Sequence, residues 1–218
     1  MKIDKDGYRF FLFFLFLSAF IFYIYHLTLS FIALTFFWIF VVLSVFTLSF
    51  FRDPERKGHE NPDAALSAAD GIVAGVSEVD AVGFAGGRAL RIAVLMNVFN
   101  VHVNRSPVSG KVIRTAIRPG KKLSVFSSHA EYENECGDTD IESPAGLVRI
   151  RQIAGLVARR IVTRVHESDI LKRGDRIGLI RFGSRVDVFL PLTYKPDVQK
   201  GEHVRAGETV IAHFCENL

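Results

Sequence analysis

The chain has 218 residues, of which 49% are hydrophobic, 12% aromatic and 23% charged, with a formal net charge of +4 at pH 7. This composition excludes a disordered chain, which would lack the aromatic and β-branched residues needed to bury a core. Two cysteines, Cys136 and Cys215, are too few for a disulfide scaffold, and without a CxxC pair or an HExxH motif no metal is expected.

The apolar residues gather at the N-terminus. From Phe10 to Phe51 the chain runs 42 residues without Asp, Glu, Lys, Arg, Gly or Pro, and holds 14 of its 20 phenylalanines there. As one helix the run would be about 63 Å long, twice a hydrocarbon core of ~30 Å. It therefore predicts a transmembrane helical hairpin joined near Tyr25, His26, Leu27 and Thr28, the first helix short and the second longer. A cleavable signal peptide does not fit, because that needs one short apolar stretch and a small-residue cleavage site. Lys2, Lys5 and Arg9 flank one end, and Arg52, Arg56 and Lys57 the other, while the turn carries no Lys or Arg. The positive-inside rule then puts both ends in the cytoplasm. Residues 1–51 are expected to anchor the chain in the cell membrane, with residues 52–218 on its cytoplasmic face and the Arg52 cluster against anionic headgroups.

Beyond the anchor the chain is only mildly basic. No clustered Lys/Arg stripe marks it for nucleic acid, which is not an expected partner. Short alternating or apolar runs recur at Gly71–Val79, Ala89–Leu95, Val101–Val103, Lys111–Ile117, Leu147–Ile153, Leu156–Val165, Arg176–Phe182, Val186–Leu190 and Thr209–Phe214. Turn residues separate them at Gly86-Gly87, Pro119-Gly120, Gly174-Asp175 and Gly201. Glu167–Lys172 reads as one helical turn. The segment from Lys200 to Val210 is similar to the turn of biotinyl and lipoyl carrier domains, without the exposed lysine that carries their cofactor. A β-rich, barrel-sandwich-like domain is the expected fold.

Four segments could carry chemistry: Phe50-Phe51-Arg52-Asp53-Pro54-Glu55-Arg56, Ala69-Asp70-Gly71, Phe99 to Pro107, and Ile180 to Asp187. Taken singly each has a plain structural reading. Asp70-Gly71 is a good turn pair, His102 between valines fits a buried strand histidine, and Gly183-Ser184 fits a bulge.

Together, FFRDPER, ADG, FNVHVNRSPVSG, QIAGLVARRI (Gln152–Ile161) and GDRIGLIRFGSRVD occur in an order that resembles the phosphatidylserine decarboxylases. The likeness is to the short proenzyme class that includes archaetidylserine decarboxylases, and it runs from about Phe50 to Phe214. It implies an enzyme whose pyruvoyl cofactor is made from Ser184 by self-cleavage between Gly183 and Ser184, giving a β chain of residues 1–183 and an α chain of residues 184–218 from one proenzyme. Decarboxylation of an amino acid needs an electron sink; a pyruvoyl ketone can serve by joining the substrate amine. Making it needs an activated serine and an unhindered preceding carbonyl, which glycine leaves open. The resemblance gives Ser184, His102 and Asp70 the roles of nucleophile, base and orienting group. After cleavage His102 either protonates the carbanion or positions the substrate carboxylate.

The implied partners are a serine-headgroup phospholipid and the membrane, and a homo-oligomer is compatible with the sequence. Ester and ether lipids are not distinguished. Asn104, Arg105, His129 and Arg185 are candidates for headgroup contact, and Arg185 could equally pair with Asp187. The chain departs from the family where Phe99 replaces a histidine of larger relatives and where Cys136 replaces an arginine usual in the short class. Two other readings stand beside this one: a membrane-anchored, non-catalytic barrel-sandwich module, and a membrane-bound serine hydrolase. The hydrolase lacks a G-x-S-x-G elbow.

Overall fold

In the computed structural model, which describes residues 2–121, 133–155, 160–181 and 184–215, the apolar run forms two helices, α1 (Lys5–Thr28) and α2 (Phe31–Phe50). They are closed at their open end by the short strands β1 (Lys2–Ile3) and β2 (Arg52–Asp53), paired antiparallel. Asp4 caps α1 by accepting the Asp6 N–H at 3.0 Å. Leu29, at φ 50°, ends the helix with its N–H on the Tyr25 carbonyl at 2.7 Å. The residues buried in these helices are mostly small: Gly7 and Ser18 in α1, and Ala33, Ser44 and Thr47 in α2, with Phe50 at its end. A Cβ on Gly7 would lie 2.5 Å from that of Phe51. Both helices are long and apolar enough to cross a membrane. The expected order of lengths is reversed, 24 residues against 20, because the Asp4 cap starts α1 among polar residues ahead of the apolar run and the break falls at Leu29 and Ser30.

Contacts divide the chain into two units, Met1–Glu55 and Arg56–Leu218. The second unit is almost entirely strand. In chain order it contains β3 (Ala64–Leu66), β4 (Gly71–Asp80), β5 (Arg88–Met96), β6 (Val103–Arg105), β7 (Gly110–Arg118), β8 (Cys136–Ser143) and β9 (Gly146–Ala154). There follow β10 (Ile161–Thr163), β11 (Ile170–Leu171), β12 (Arg176–Ile180), β13 (Ser184–Leu190), β14 (Tyr194–Pro196), β15 (His203–Val204) and β16 (Val210–Phe214). An antiparallel eight-stranded sheet runs β11-β7-β8-β9-β13-β5-β4-β15, with two three-stranded sheets, β10-β12-β6 and β14-β16-β3. The expected β-rich fold with an N-terminal pair of apolar helices is the observed one.

Alternation decides which face of the large sheet is buried. Leu90, Ile92 and Val94 of β5, Val148 and Ile150 of β9, and Val186, Val188 and Leu190 of β13 all turn into one apolar core. Residues 184 and 152 belong to the same face by register, since Ser184 stands opposite Met96 and Ala154, and Gln152 opposite Val186.

Two local expectations are corrected and one strand is added. Glu167–Lys172 is not helical: Ser168 takes a left-handed φ of 78°, and Ile170–Leu171 pair with Lys111 and Gly110. The strand expected at Val101–Val103 is Val103–Arg105, so His102 stands just ahead of it. Cys136–Ser143, which the sequence pattern did not mark, is a full strand inside the large sheet. Of the run Leu156–Val165, residues 156–159 lie outside the described residues, and Ile161–Thr163 is strand.

Candidate active site

Ser184 opens β13, the strand held between β9 and β5. Its neighbours close over it completely, leaving it 0% exposed. The hydroxyl donates to Met96 Sδ at 3.4 Å. A thioether is a weak acceptor, so the hydroxyl is oriented without being strongly held. Upstream, β12 lies in a three-stranded sheet between β10 and β6 and ends at Ile180. Between Ile180 and Ser184 the chain leaves one sheet for the other. Gly183 falls in that link and lies outside the described residues, as does His129.

His102 is buried immediately before β6. Its Nδ1 lies 3.0 Å from the Asn100 carbonyl oxygen, and its own carbonyl receives the Ile180 N–H at 3.4 Å. A carbonyl can only accept, so in the neutral ring Nδ1 carries the proton and Nε2 is the basic nitrogen. The orienting group on this histidine is therefore a backbone carbonyl, which no residue pattern would reveal.

Asp70 is placed differently. Arg56 Nη2 reaches both of its oxygens, at 3.1 and 2.9 Å, and the Ala206 N–H donates to Oδ1 at 2.8 Å. Arg56 Nη1 meets Glu208 at 2.9 Å. The carboxylate thus ties a residue just past the two helices to the segment 206–208.

Asn104, fully buried on β6, accepts the Gln152 amide at 2.8 Å and points its own amide nitrogen at Met96 Sδ, 3.8 Å away. Neither Met96 nor Gln152 was singled out individually by sequence. A buried amide in the otherwise apolar inner row of β9 is the signal that could have found Gln152. Arg105, the next residue on β6, reaches the Gly174 carbonyl at 2.9 Å. Arg185 forms a two-point ion pair with Asp187, at 2.6 and 2.7 Å. This is the Asp187 pairing that the sequence offered. The structure thus gathers Ser184, Met96, Asn104 and Gln152 at one end of the sheet, with His102 two residues before Asn104, while Asp70, Arg105 and Arg185 are engaged elsewhere.

The opposite face of the same sheet carries a charged ladder. Arg149 grips Asp140 at 2.6 and 2.8 Å, and Arg151 grips Asp138 at 2.7 and 2.8 Å. Their guanidinium carbons lie 5.7 Å from the ring centre of Phe84 and 5.4 Å from that of Phe189. Donating hydrogen bonds to the Asp140 carboxylate pushes the Arg149 pKa up despite burial. Cys136, where the short class usually has arginine, is buried in this ladder, and desolvation, followed by Asp138, pushes its thiol up. It is a neutral thiol at pH 7.

A β-rich domain with a buried serine at a sheet junction, preceded by two apolar helices, defines the class of the molecule. The model of the phosphatidylserine decarboxylase family matches residues 43–212. A phosphatidylserine decarboxylase proenzyme of Desulfotalea psychrophila is 46% identical over 177 residues, 81% of this chain and 83% of its own length. A proenzyme of the same name from Oleidesulfovibrio alaskensis is 49% identical over 175 residues, 80% of each. The chain belongs to the phosphatidylserine decarboxylase family and is a carboxy-lyase of phospholipid metabolism.

Proposed function

We propose that this chain is a proenzyme that cuts itself between Gly183 and Ser184 and then removes CO2 from the serine headgroup of a phospholipid. The observation that carries the reading is the position of Ser184 at a junction between sheets. A break just before it parts β12 from β13, yet β12 stays paired to β10 and β6, and β13 to β9 and β5. The 184–218 product is further held by β15 on β4 and β16 on β3. Cleavage can therefore proceed without loss of the fold, and the relatives' designation as proenzymes supports it.

In the cleavage step His102 Nε2 takes the Ser184 proton as the hydroxyl adds to the preceding carbonyl. Collapse with loss of the 183–184 C–N bond gives an ester on Ser184 and a free amine. β-Elimination releases the carboxyl end of the β chain and leaves dehydroalanine, which tautomerises and takes up water to give a pyruvoyl terminus and ammonia. Asn100 holds the histidine in the required tautomer, and Asp70 fixes the segment around Ala206 relative to Arg56. The pyruvoyl group supplies a ketone able to accept the substrate amine and withdraw electrons as CO2 leaves. Burial of Ser184 in the uncut chain suits the first, intramolecular step, in which its hydroxyl adds to the carbonyl just before it and no outside molecule takes part. The same burial disfavours a hydrolase acting on an external substrate.

The two apolar helices suit a lipid substrate. Drawing acyl chains into water costs about 0.8 kcal/mol per CH2, so an enzyme anchored at the cytoplasmic face needs to admit only the headgroup. The test is the intact mass of purified protein before and after borohydride. The expected result is two chains, the smaller gaining two hydrogens at its N-terminal ketone. One continuous chain that still releases CO2 from phosphatidylserine would overturn the mechanism.

A further inference from the structure

Around Ala116 on β7, the outer face of the large sheet carries four guanidinium groups and two carboxylates among the described residues. Alternation sets Arg114, Ala116 and Arg118 on that face, opposite Asp140, Asp138 and Cys136 of β8. Arg149 and Arg151 follow on β9 and take both oxygens of Asp140 and Asp138. Arg114 has the weaker share. One of its nitrogens lies 3.5 Å from Asp140 Oδ2, an oxygen that Arg149 already holds at 2.8 Å. Its side chain is 52% exposed, and a guanidinium carries five N–H donors in a flat fork.

The side chains leave a gap. Ala116 is the smallest of its row, and a cavity of about 280 Å³ opens there, lined in part by Arg114, Arg118, Arg149, Arg151, Asp138 and Cys136. Cys136 adds no negative charge, because burial pushes its thiol up. Arg114 and Arg118 stand on either side of Ala116, about 13 Å apart along the strand at ~3.3 Å per residue. Two forks on one cavity select the shape of what fills it. A carboxylate presents two oxygens along one edge, enough for one fork. A phosphate group presents oxygens on several sides and carries more charge, so it can meet both.

We propose that this cavity is a binding site for a phosphate group, borne by a lipid headgroup or by a small free anion, with Arg114 and Arg118 as its donors. The two-point pairs of Arg149 and Arg151 offset the aspartate charges beside it, and the anion gives Arg114 the charged acceptor that Asp140 supplies only in part. Ser184 belongs to the opposite face of the sheet, with Val186 and Val188, so the site is separate from the proposed cleavage and stands without it.

The experiment is calorimetric titration of purified full-length protein, in a maltoside detergent and a chloride buffer of fixed ionic strength, with inorganic phosphate and separately with glycerophosphoserine. The expected result is saturable binding of one anion per chain. Arg114→Gln is expected to weaken it about tenfold or more, as loss of a charged hydrogen bond does. Ala116→Leu fills the cavity without changing any charge and is expected to abolish binding. Arg88→Gln removes an exposed arginine elsewhere in the sheet and is expected to bind as the wild type does. Circular dichroism checks that each variant is folded, and half-exposed Arg114 gives a test that stands even if Ala116→Leu disturbs the strand. Tighter binding of glycerophosphoserine assigns the site to a lipid headgroup and tighter binding of phosphate to a free anion; each supports the proposal. Absence of saturable binding in the wild type overturns it. So does binding that persists in folded Ala116→Leu, or that falls equally in Arg114→Gln and Arg88→Gln, since either means attraction to the surface at large and not to this cavity.

Discussion

The two faces of the eight-stranded sheet obey the same alternation and use their polar residues in opposite ways. The outer face spends them on each other, Arg149 with Asp140, Arg151 with Asp138 and Arg185 with Asp187, in two-point ion pairs. On the inner face a few polar groups, Ser184, Gln152 and the Asn104 that meets them from β6, sit in an apolar surround and end on a soft sulfur. Closed pairs hold strands in register; a chain of hydrogen bonds ending on a weak acceptor leaves its last hydroxyl available. The same strands thus supply rigidity from one side and reactivity from the other.

The largest effects should separate the faces completely. Ser184→Ala and His102→Ala are expected to leave a single uncleaved chain without decarboxylase activity, at nearly unchanged unfolding midpoint. Gel electrophoresis and calorimetry on the same preparation check both halves. Normal processing of either variant would remove it from the inner-face chemistry.

Asp140→Ala should do the reverse. It strands Arg149, largely buried beneath Phe84, without its two-point partner. Breaking a buried pair from one side costs about 3–5 kcal/mol, readable as a shift of the urea midpoint. Protein that remains folded should still cleave at close to the wild-type rate. If cleavage slows while stability holds, the outer face is part of the chemistry and the division fails.

These faces were unequally legible in sequence. Inner strands such as Ala89–Leu95 and Val186–Leu190 stand out because their apolar runs match a buried face. The strand Cys136–Ser143 does not, because Asp138 and Asp140 look like connection residues until the arginines of the next strand are known to lie opposite them. Pairing across strands is non-local, and a single sequence does not carry it. The site divided in the same way. Ser184 and His102 were found through motifs, but the Asn100 carbonyl on His102 is backbone and has no residue signature. Arg56 was read as a membrane-edge charge, and its grip on Asp70 and Glu208 depends on the fold bringing residues 56, 70 and 208 together.

That grip joins residues on either side of the proposed cut and should give an intermediate effect. Arg56→Met removes the charged partner of Asp70 but leaves it the Ala206 N–H, so a cost of about 2 kcal/mol is expected. In a double-mutant cycle Glu208→Gln should couple to Arg56→Met by less than about 1 kcal/mol, because Glu208 is a third exposed. Additive variants would mean that Arg56 serves Asp70 alone; stronger coupling would make the three a single buried unit like the outer ladder.

The smallest effect belongs to a pair that resembles the ladder only in composition. Arg88 and Glu78 meet at 2.9 Å where β5 begins, with side chains 52% and 54% exposed. Water screens both charges, and ordering two long side chains offsets most of the attraction, so Arg88→Ala should cost no more than about 0.5 kcal/mol and lose even that in high salt. The urea midpoint at low and high ionic strength measures it. A loss near that of Asp140→Ala would show that position along the sheet, and not burial against aromatic rings, gives the arginine–aspartate pairs their strength.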